Sequence, residues 1–177
     1  MNNPLLEKAK QIKCVISDVD GVLTDGLAYI DNQGNELKAF NIQDGMGLKL
    51  LMHAGIEVAI ITTSLQPIID KRMQQLGIQY YFTGQIDKQS AYQQLKDRLS
   101  LPDTAFAYIG DDLPDLAIIQ QVGLGIAVSN AVREVKECAA WETTAHGGRG
   151  AVREVCDLIL YAQDKLQLAL NNYLRLG

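Results

Sequence analysis

Asp18 and Asp20 stand directly after the apolar run Cys14-Val15-Ile16, and Gly21 follows them. Thr62 and Thr63 end the run Glu57–Ile61, and Gly110, Asp111, Asp112 and Asp115 follow Phe106–Ile109. Lys88 begins the segment after Tyr80–Phe82. Carboxylates held this close cannot all stay ionised without a cation. Oxygen ligands with few anchoring side chains suit Mg²⁺, which keeps waters and accepts a substrate phosphate oxygen. An aspartate can carry a phosphoryl group as an acyl phosphate, which makes Asp18 the candidate nucleophile. Asp20, two residues on, is placed to protonate a leaving alkoxide and then deprotonate a water. Thr62 and Lys88 are candidates to hold phosphoryl oxygens, where charge builds during transfer.

Each residue also has a plainer reading. Asp18-Val19-Asp20-Gly21 resembles half of a calcium loop, but such a loop wants Asp or Asn at position 22, where Val22 stands, and no apolar strand in front. Asp111 and Asp112 are good caps for a helix opened by Pro114. A single lysine such as Lys88 is usually a solvated helix charge. Their convergence is what favours chemistry, because ligands of open α/β sheets sit beyond the carboxyl ends of the strands.

The elements that must position these residues are short apolar strands alternating with helical segments, roughly 44–54, 65–76, 87–99 and 112–121. Strands at 14–16, 57–61, 80–82, 106–109 and 125–128 are apolar almost throughout, Glu57 being the charged exception, as expected where helices cover both faces of a parallel sheet. The alternation predicts a doubly wound α/β domain. Residues 27–40 break it with two short strands around the polar turn Asp31–Asn35, a β-hairpin. One long helix is expected over 150–175, with Leu158, Tyr161, Leu166, Leu170 and Leu174 among its apolar positions. The whole chain, 1–177, reads as a single domain.

Composition bounds the rest. Of 177 residues, 47% are apolar and 21% charged, and the formal charge of −5 disfavours nucleic acid and anionic membranes as partners. The start MNNPLLEKAKQIK has no secretory character, and no run is long and apolar enough for a membrane span. Cys14, Cys138 and Cys156 lack CxxC spacing and read as thiols of a reducing compartment, so a cytoplasmic location is expected. His53 and His146 have no second histidine at ligand spacing, and Trp141 fits a core or a subunit interface. Neither a Gly-x-Ser-x-Gly elbow nor a P-loop occurs.

The words DVDGVLTDG, ITTS, Lys88 and GDDLPD, in this order from Asp18 to Asp115, resemble the four motifs of the haloacid dehalogenase superfamily. The resemblance implies a Rossmann-like fold of that type. It makes Asp18 nucleophile and metal ligand, and Asp20 acid/base and a metal ligand through its backbone carbonyl. Asp111 becomes a Mg²⁺ ligand, Thr62 (with Thr63 beside it) and Lys88 bind phosphate, and Asp112 and Asp115 support the acidic loop. A dehalogenase, which needs no metal, is disfavoured by that loop.

FNIQDGMGLKLL (40–51), the hairpin before it and GGRGAVREVCDLIL (147–160) are further similar to the 3-deoxy-D-manno-octulosonate 8-phosphate phosphatases. That family lacks a large cap domain and forms homotetramers in which hairpins meet centrally and a neighbour covers each site. The resemblance implies a sugar-acid phosphate substrate, a role in lipopolysaccharide synthesis, and substrate contacts from Asn41, Asp44, Gly45, Lys49 and Arg72. It places Arg149 near a neighbour's site. A glycine turn opening the last helix, with Arg149 in solvent, is the plainer alternative. The family usually reads Thr-Gly-Arg where this chain has Thr62-Thr63-Ser64. Ser64 cannot replace the paired hydrogen bonds of that arginine. A nine-carbon ulosonate 9-phosphate therefore competes as substrate, and a non-catalytic oligomerisation module remains a second class.

Overall fold

Strand β1 (Cys14–Ser17) is buried along its whole length, as its apolar run requires, and lies at the centre of the sheet. In the computed structural model, which describes residues 3–175, β1 pairs in parallel with β4 (Glu57–Ile61) on one side and β6 (Phe106–Gly110) on the other. β5 (Tyr80–Phe82) extends the sheet beyond β4, while β7 (Leu124–Ala127) and β8 (Trp141–Glu142) extend it beyond β6. The order is β5-β4-β1-β6-β7-β8, with every pair parallel. The hairpin strands β2 (Tyr29–Ile30) and β3 (Glu36–Leu37) form a separate antiparallel pair, which is all that stands between β1 and the next helix apart from loops.

Helices α2 (Ile42–His53), α3 (Pro67–Leu76), α4 (Lys88–Leu99), α5 (Leu116–Gln121) and α6 (Arg133–Cys138) connect successive strands. α7 (Ala151–Ala162) packs with both α2 and α1 (Pro4–Gln11), whereas α5 packs with both α4 and α6. The chain thus builds the sheet outward from β1 in one direction, then crosses over and builds in the other. The reversal falls between β1 and β6, where such folds open a crevice. The doubly wound α/β expectation is met, including the inserted hairpin. α1, α6 and β8 were not expected, being too short or too polar to show a clear period.

The expected single C-terminal helix over 150–175 is instead two, α7 and α8 (Leu166–Leu174). The chain reverses at Asp164, whose φ of +52° is left-handed and incompatible with helix continuation. Gln163 fastens the break by donating to the carbonyls of Ala9 and Ile12 at 3.0 and 2.8 Å. α8 then folds back on α2, where Asn172 donates to the His53 carbonyl at 2.8 Å and Tyr173 meets the His53 ring. Apolar spacing alone continues through this turn, so periodicity could not reveal it.

α2 and α7 approach closely because Gly47 faces Arg153 and Cys156, where a Cβ would come within about 3.0 Å of both. The shared core includes Leu48, Leu51, Val155 and Ile159, all inaccessible. Truncating a buried member such as Ile16 to Ala would cost roughly 2–5 kcal/mol. No helix among the described residues is long and apolar enough to cross a membrane.

Candidate active site

The register of the three central strands decides what meets above them. Ser17 is level with Ile60 of β4 and Ile109 of β6. The residues that follow, Asp18, Thr62 and Asp111, therefore emerge side by side at the carboxyl edge. Lys88 reaches the same place from the first turn of α4, which Asp87 caps by accepting from Gln89 N. Oxygens of Asp18, Asp111 and Asp115 come within 4.8 Å of one another.

Lys88 Nζ lies 2.7 Å from Asp18 Oδ2 and 2.7 Å from Asp115 Oδ1. Asp115, fully buried, also accepts from the Tyr108 hydroxyl at 2.6 Å and from the backbone N–H groups of Asp111 (2.9 Å) and Asp112 (3.3 Å). With four donors on its two oxygens, Asp115 orients Lys88 and the acidic loop and has little capacity left for a cation. Asp111 differs: its Oδ1 is buried without any hydrogen-bond partner. A buried polar atom without a partner calls for an explanation. Asp18 Oδ1 accepts from Val19 N at 2.6 Å.

Electrostatics carry the same message. Burial, reinforced by Asp18 and Asp115, pushes the Asp111 carboxyl up to about 8. Burial and the Asp115 charge raise Asp18 to about 6, against the opposing pull of Lys88. Burial disfavours the Lys88 ammonium, yet Asp18 and Asp115 together hold its pKa above the ordinary lysine value. Fully ionised, three carboxylates against one ammonium would leave two negative charges at this largely buried edge. An oxygen-only set with that excess and an orphaned Asp111 oxygen fits a divalent hard cation.

Two glycines shape this centre. Gly21 has φ +81°, and a Cβ there would lie 2.0 Å from Asp111 Oδ2, so glycine lets the two loops touch. At Gly147 a Cβ would lie 1.7 Å from the Gly21 carbonyl oxygen. The Gly147–Gly148 segment is clasped there by Asn130 Oδ1, which accepts from Gly147 N at 2.7 Å, and by Gly148 N donating to Val22 O at 2.8 Å.

The remaining candidates spread out. Thr62 is buried, and its Oγ1 accepts from Ser64 N at 3.2 Å, while Thr63 is exposed. Asp20 turns its carboxylate to Lys38, at the end of the hairpin. Asn41 caps α2, accepting from Gln43 N and Asp44 N, and lines a cavity of about 280 Å³ with Tyr29, Phe40 and Arg149. Arg149 is exposed and lies 3.5 Å from Asp25.

Asp44 was expected at the substrate, but it is buried under the start of α7 and accepts from Gly150 N (3.3 Å) and Arg153 N (2.8 Å). Gly45 leaves room for Arg72, whose guanidinium lies over the Phe40 ring. Lys49 faces another cleft, with His53, Gly77 and Leu174 at the far ends of α2 and α3. Within one chain Asp44, Gly45 and Arg72 serve packing or a helix terminus, and the cleft that Lys49 lines includes none of Asp18, Asp111 and Asp115. Tyr108 and Lys38 are absent from the candidates read in sequence. A tyrosine inside an apolar strand and a lysine after a two-residue strand carry no local signal.

A family model described as haloacid dehalogenase-like hydrolase matches residues 81–155. The chain is 48% identical over 163 residues, 92% of its length and 87% of the relative's, to 3-deoxy-D-manno-octulosonate 8-phosphate phosphatase of Yersinia pestis. A haloacid dehalogenase superfamily (subfamily III A) hydrolase from Legionella pneumophila superposes with TM-score 0.97 at 68% identity, over 98% of this chain and 95% of the other. The Moraxella catarrhalis 3-deoxy-D-manno-octulosonate 8-phosphate phosphatase, solved with magnesium, phosphate and its sugar acid, superposes with TM-score 0.92 at 42% identity, covering 98% and 99% of the two chains. With nearly the whole chain shared at this identity, the protein is a phosphatase that belongs to the 3-deoxy-D-manno-octulosonate 8-phosphate phosphatase family of haloacid dehalogenase-like hydrolases.

Proposed function

We propose that the chain, acting as one domain, hydrolyses 3-deoxy-D-manno-octulosonate 8-phosphate with Mg²⁺, through a phospho-aspartate on Asp18. The observation that carries the mechanism is the pairing of Asp18 with Lys88 beside the unpartnered Asp111 oxygen. The substrate rests on the family and on the sugar acid bound by the Moraxella relative.

Asp18, Asp111 and the Asp20 backbone carbonyl are the groups that would hold the cation. When bound, Mg²⁺ offsets the negative charge of the carboxylates and the phosphoryl group, so that one anion can approach another. The Asp18 carboxylate attacks phosphorus. The ester oxygen departs with a proton from Asp20, leaving an acyl phosphate. Lys88 and the Thr62 hydroxyl hold the phosphoryl oxygens; Thr62 Oγ1 accepts from Ser64 N, so its own proton stays free to donate. Asp20 then takes a proton from water as the water attacks phosphorus, and phosphate and the Asp18 carboxylate are released.

The hairpin exposes Leu27, Ile30 and Leu37, which suits burial against other copies of the chain. A homotetramer, with Asn41, Arg72 or Arg149 completing a neighbour's site, is the assembly we propose. Production of the sugar acid for lipopolysaccharide, in the cytoplasm, is the matching role.

The test is phosphate release with and without Mg²⁺ from eight- and nine-carbon ulosonate phosphates and simpler sugar phosphates, with sedimentation of the same preparation. A strong preference for the eight-carbon ester is expected. Preference for the nine-carbon ester would overturn the substrate and make Ser64 a specificity residue. Release that is independent of Mg²⁺ would overturn the mechanism.

A further inference from the structure

Asp20 has one side-chain partner among the described residues, and it comes from outside the sheet. Lys38 follows β3, and its Nζ donates to Asp20 Oδ1, with Glu36 Oε1 at 3.8 Å. The Lys38 side chain is only 7% exposed, whereas that of Asp20 is 42% exposed. A lysine rarely surrenders its hydration unless paired. Here the buried ammonium fixes an otherwise half-open carboxylate. It engages Oδ1, and Asp20 lines a cavity of about 180 Å³ together with Lys38, Ser64 and Gln66.

We propose that Lys38 is a positioning residue for Asp20, so that the hairpin sets the aim of the acid/base carboxylate. The inference rests on the reading of Asp20 as acid/base. Two-residue strands are weak by themselves. The hairpin is stiffened at its tip by Asp31, whose Oδ1 accepts from Gln33 N and Asn35 N at 2.8 Å each. Near the body, the Tyr29 hydroxyl donates to Asp25 Oδ2 at 2.7 Å. Both body contacts, Lys38 on Asp20 and Tyr29 on Asp25, land on the loop after β1. Any shift of the hairpin is therefore carried to the carboxylate that must meet the leaving oxygen.

The experiment compares an alkyl phosphate ester, whose leaving group needs a proton, with p-nitrophenyl phosphate, whose leaving group does not. Phosphoenzyme formation is followed by rapid mixing, and phosphoenzyme hydrolysis by steady-state release. Lys38→Met keeps the length and removes the charge. It is expected to lower kcat on the alkyl ester roughly 10- to 100-fold, part of the 10²–10⁴ that a placed acid/base contributes, with KM nearly unchanged. On the aryl ester it should leave the first step almost intact and slow hydrolysis, so that a burst of p-nitrophenol appears. Lys38→Arg should recover most of the loss. Asp31→Ala, remote from the acidic centre, should show a milder form of the same pattern and add little in the Lys38→Met background.

Equal slowing of phosphoenzyme formation from both esters, a change confined to KM, or no loss would overturn the proposal. So would full additivity with Asp31→Ala. Asp20→Asn separates the two readings. If it leaves both steps unchanged, the acid/base role falls and this inference with it. If it produces the burst while Lys38→Met does not, only the inference falls.

Discussion

Lys88 Nζ and Asp18 Oδ2 lie 2.7 Å apart in a pocket where the lysine side chain is only 2% exposed. The two residues are 70 positions apart in the chain and meet because α4 starts at the same edge where β1 ends. The pair keeps Asp18 partly ionised against the burial that raises its pKa to about 6. Lys88 shares its charge with Asp115, which in turn holds the N–H groups of Asp111 and Asp112, so nucleophile, cation and acidic loop form one network.

Replacing Asp18 by Asn should abolish turnover while leaving the fold in place. The amide keeps the side-chain volume but cannot attack phosphorus, and loss of a covalent nucleophile generally costs several orders of magnitude in kcat. Phosphate release together with circular dichroism checks this. Retained turnover would exclude Asp18 as nucleophile.

Added Mg²⁺ should stabilise the protein more as pH rises. Asp18 and Asp111, raised to about 6 and about 8 by burial and neighbouring carboxylates, start from ordinary values of about 3.8. Both folded values exceed the unfolded ones, so without metal these groups cost stability progressively as pH climbs from about 4 to about 8. A cation binds the deprotonated forms and removes that cost. Melting curves with and without Mg²⁺ should nearly coincide at pH 5 and separate clearly by pH 8. A constant or shrinking separation would contradict the assignment.

Asp44→Ala tests capping against substrate contact. The change strips acceptors from Gly150 N and Arg153 N at the start of α7 and should cost about 1–3 kcal/mol. KM should hardly change if the carboxylate serves only the helix terminus. A large KM increase with unchanged melting temperature would instead support the substrate role expected from the family resemblance.

Gly147→Ala should damage the catalytic loop from a distance in sequence. Its methyl would fall 1.7 Å from the Gly21 carbonyl oxygen, backbone against backbone, which no side-chain rotation relieves. Overpacking of this kind costs about 1–3 kcal/mol or more, and the displaced loop carries Asp20. Melting temperature and kcat should fall together. A silent substitution would show that the loop moves freely.

Much of this was legible without coordinates. Short, nearly continuous apolar runs alternating with helical segments fit strands covered on both faces, and each stops at a polar word, so the parallel sheet and the grouping of Asp18, Thr62 and Asp111 were legible from local pattern. What local pattern does not contain is the partner of each side chain. Asp44 and Lys49 entered as substrate contacts only through the family resemblance, because a charge on a helix looks alike whether it meets a substrate, a helix terminus or a distant cleft. Only the packing of α7 on α2 turned Asp44 toward Gly150 and Arg153. Only the register of β1 against β6 placed Tyr108 and Asp115 behind Lys88. The break at Asp164 was hidden for a related reason: apolar spacing runs on through it, while the turn depends on a backbone angle and on Gln163 reaching the end of α1. The chain's own residue types thus determined its chemistry and its strands. Tertiary structure decided which charges face one another, since burial and distance are set between elements rather than within them.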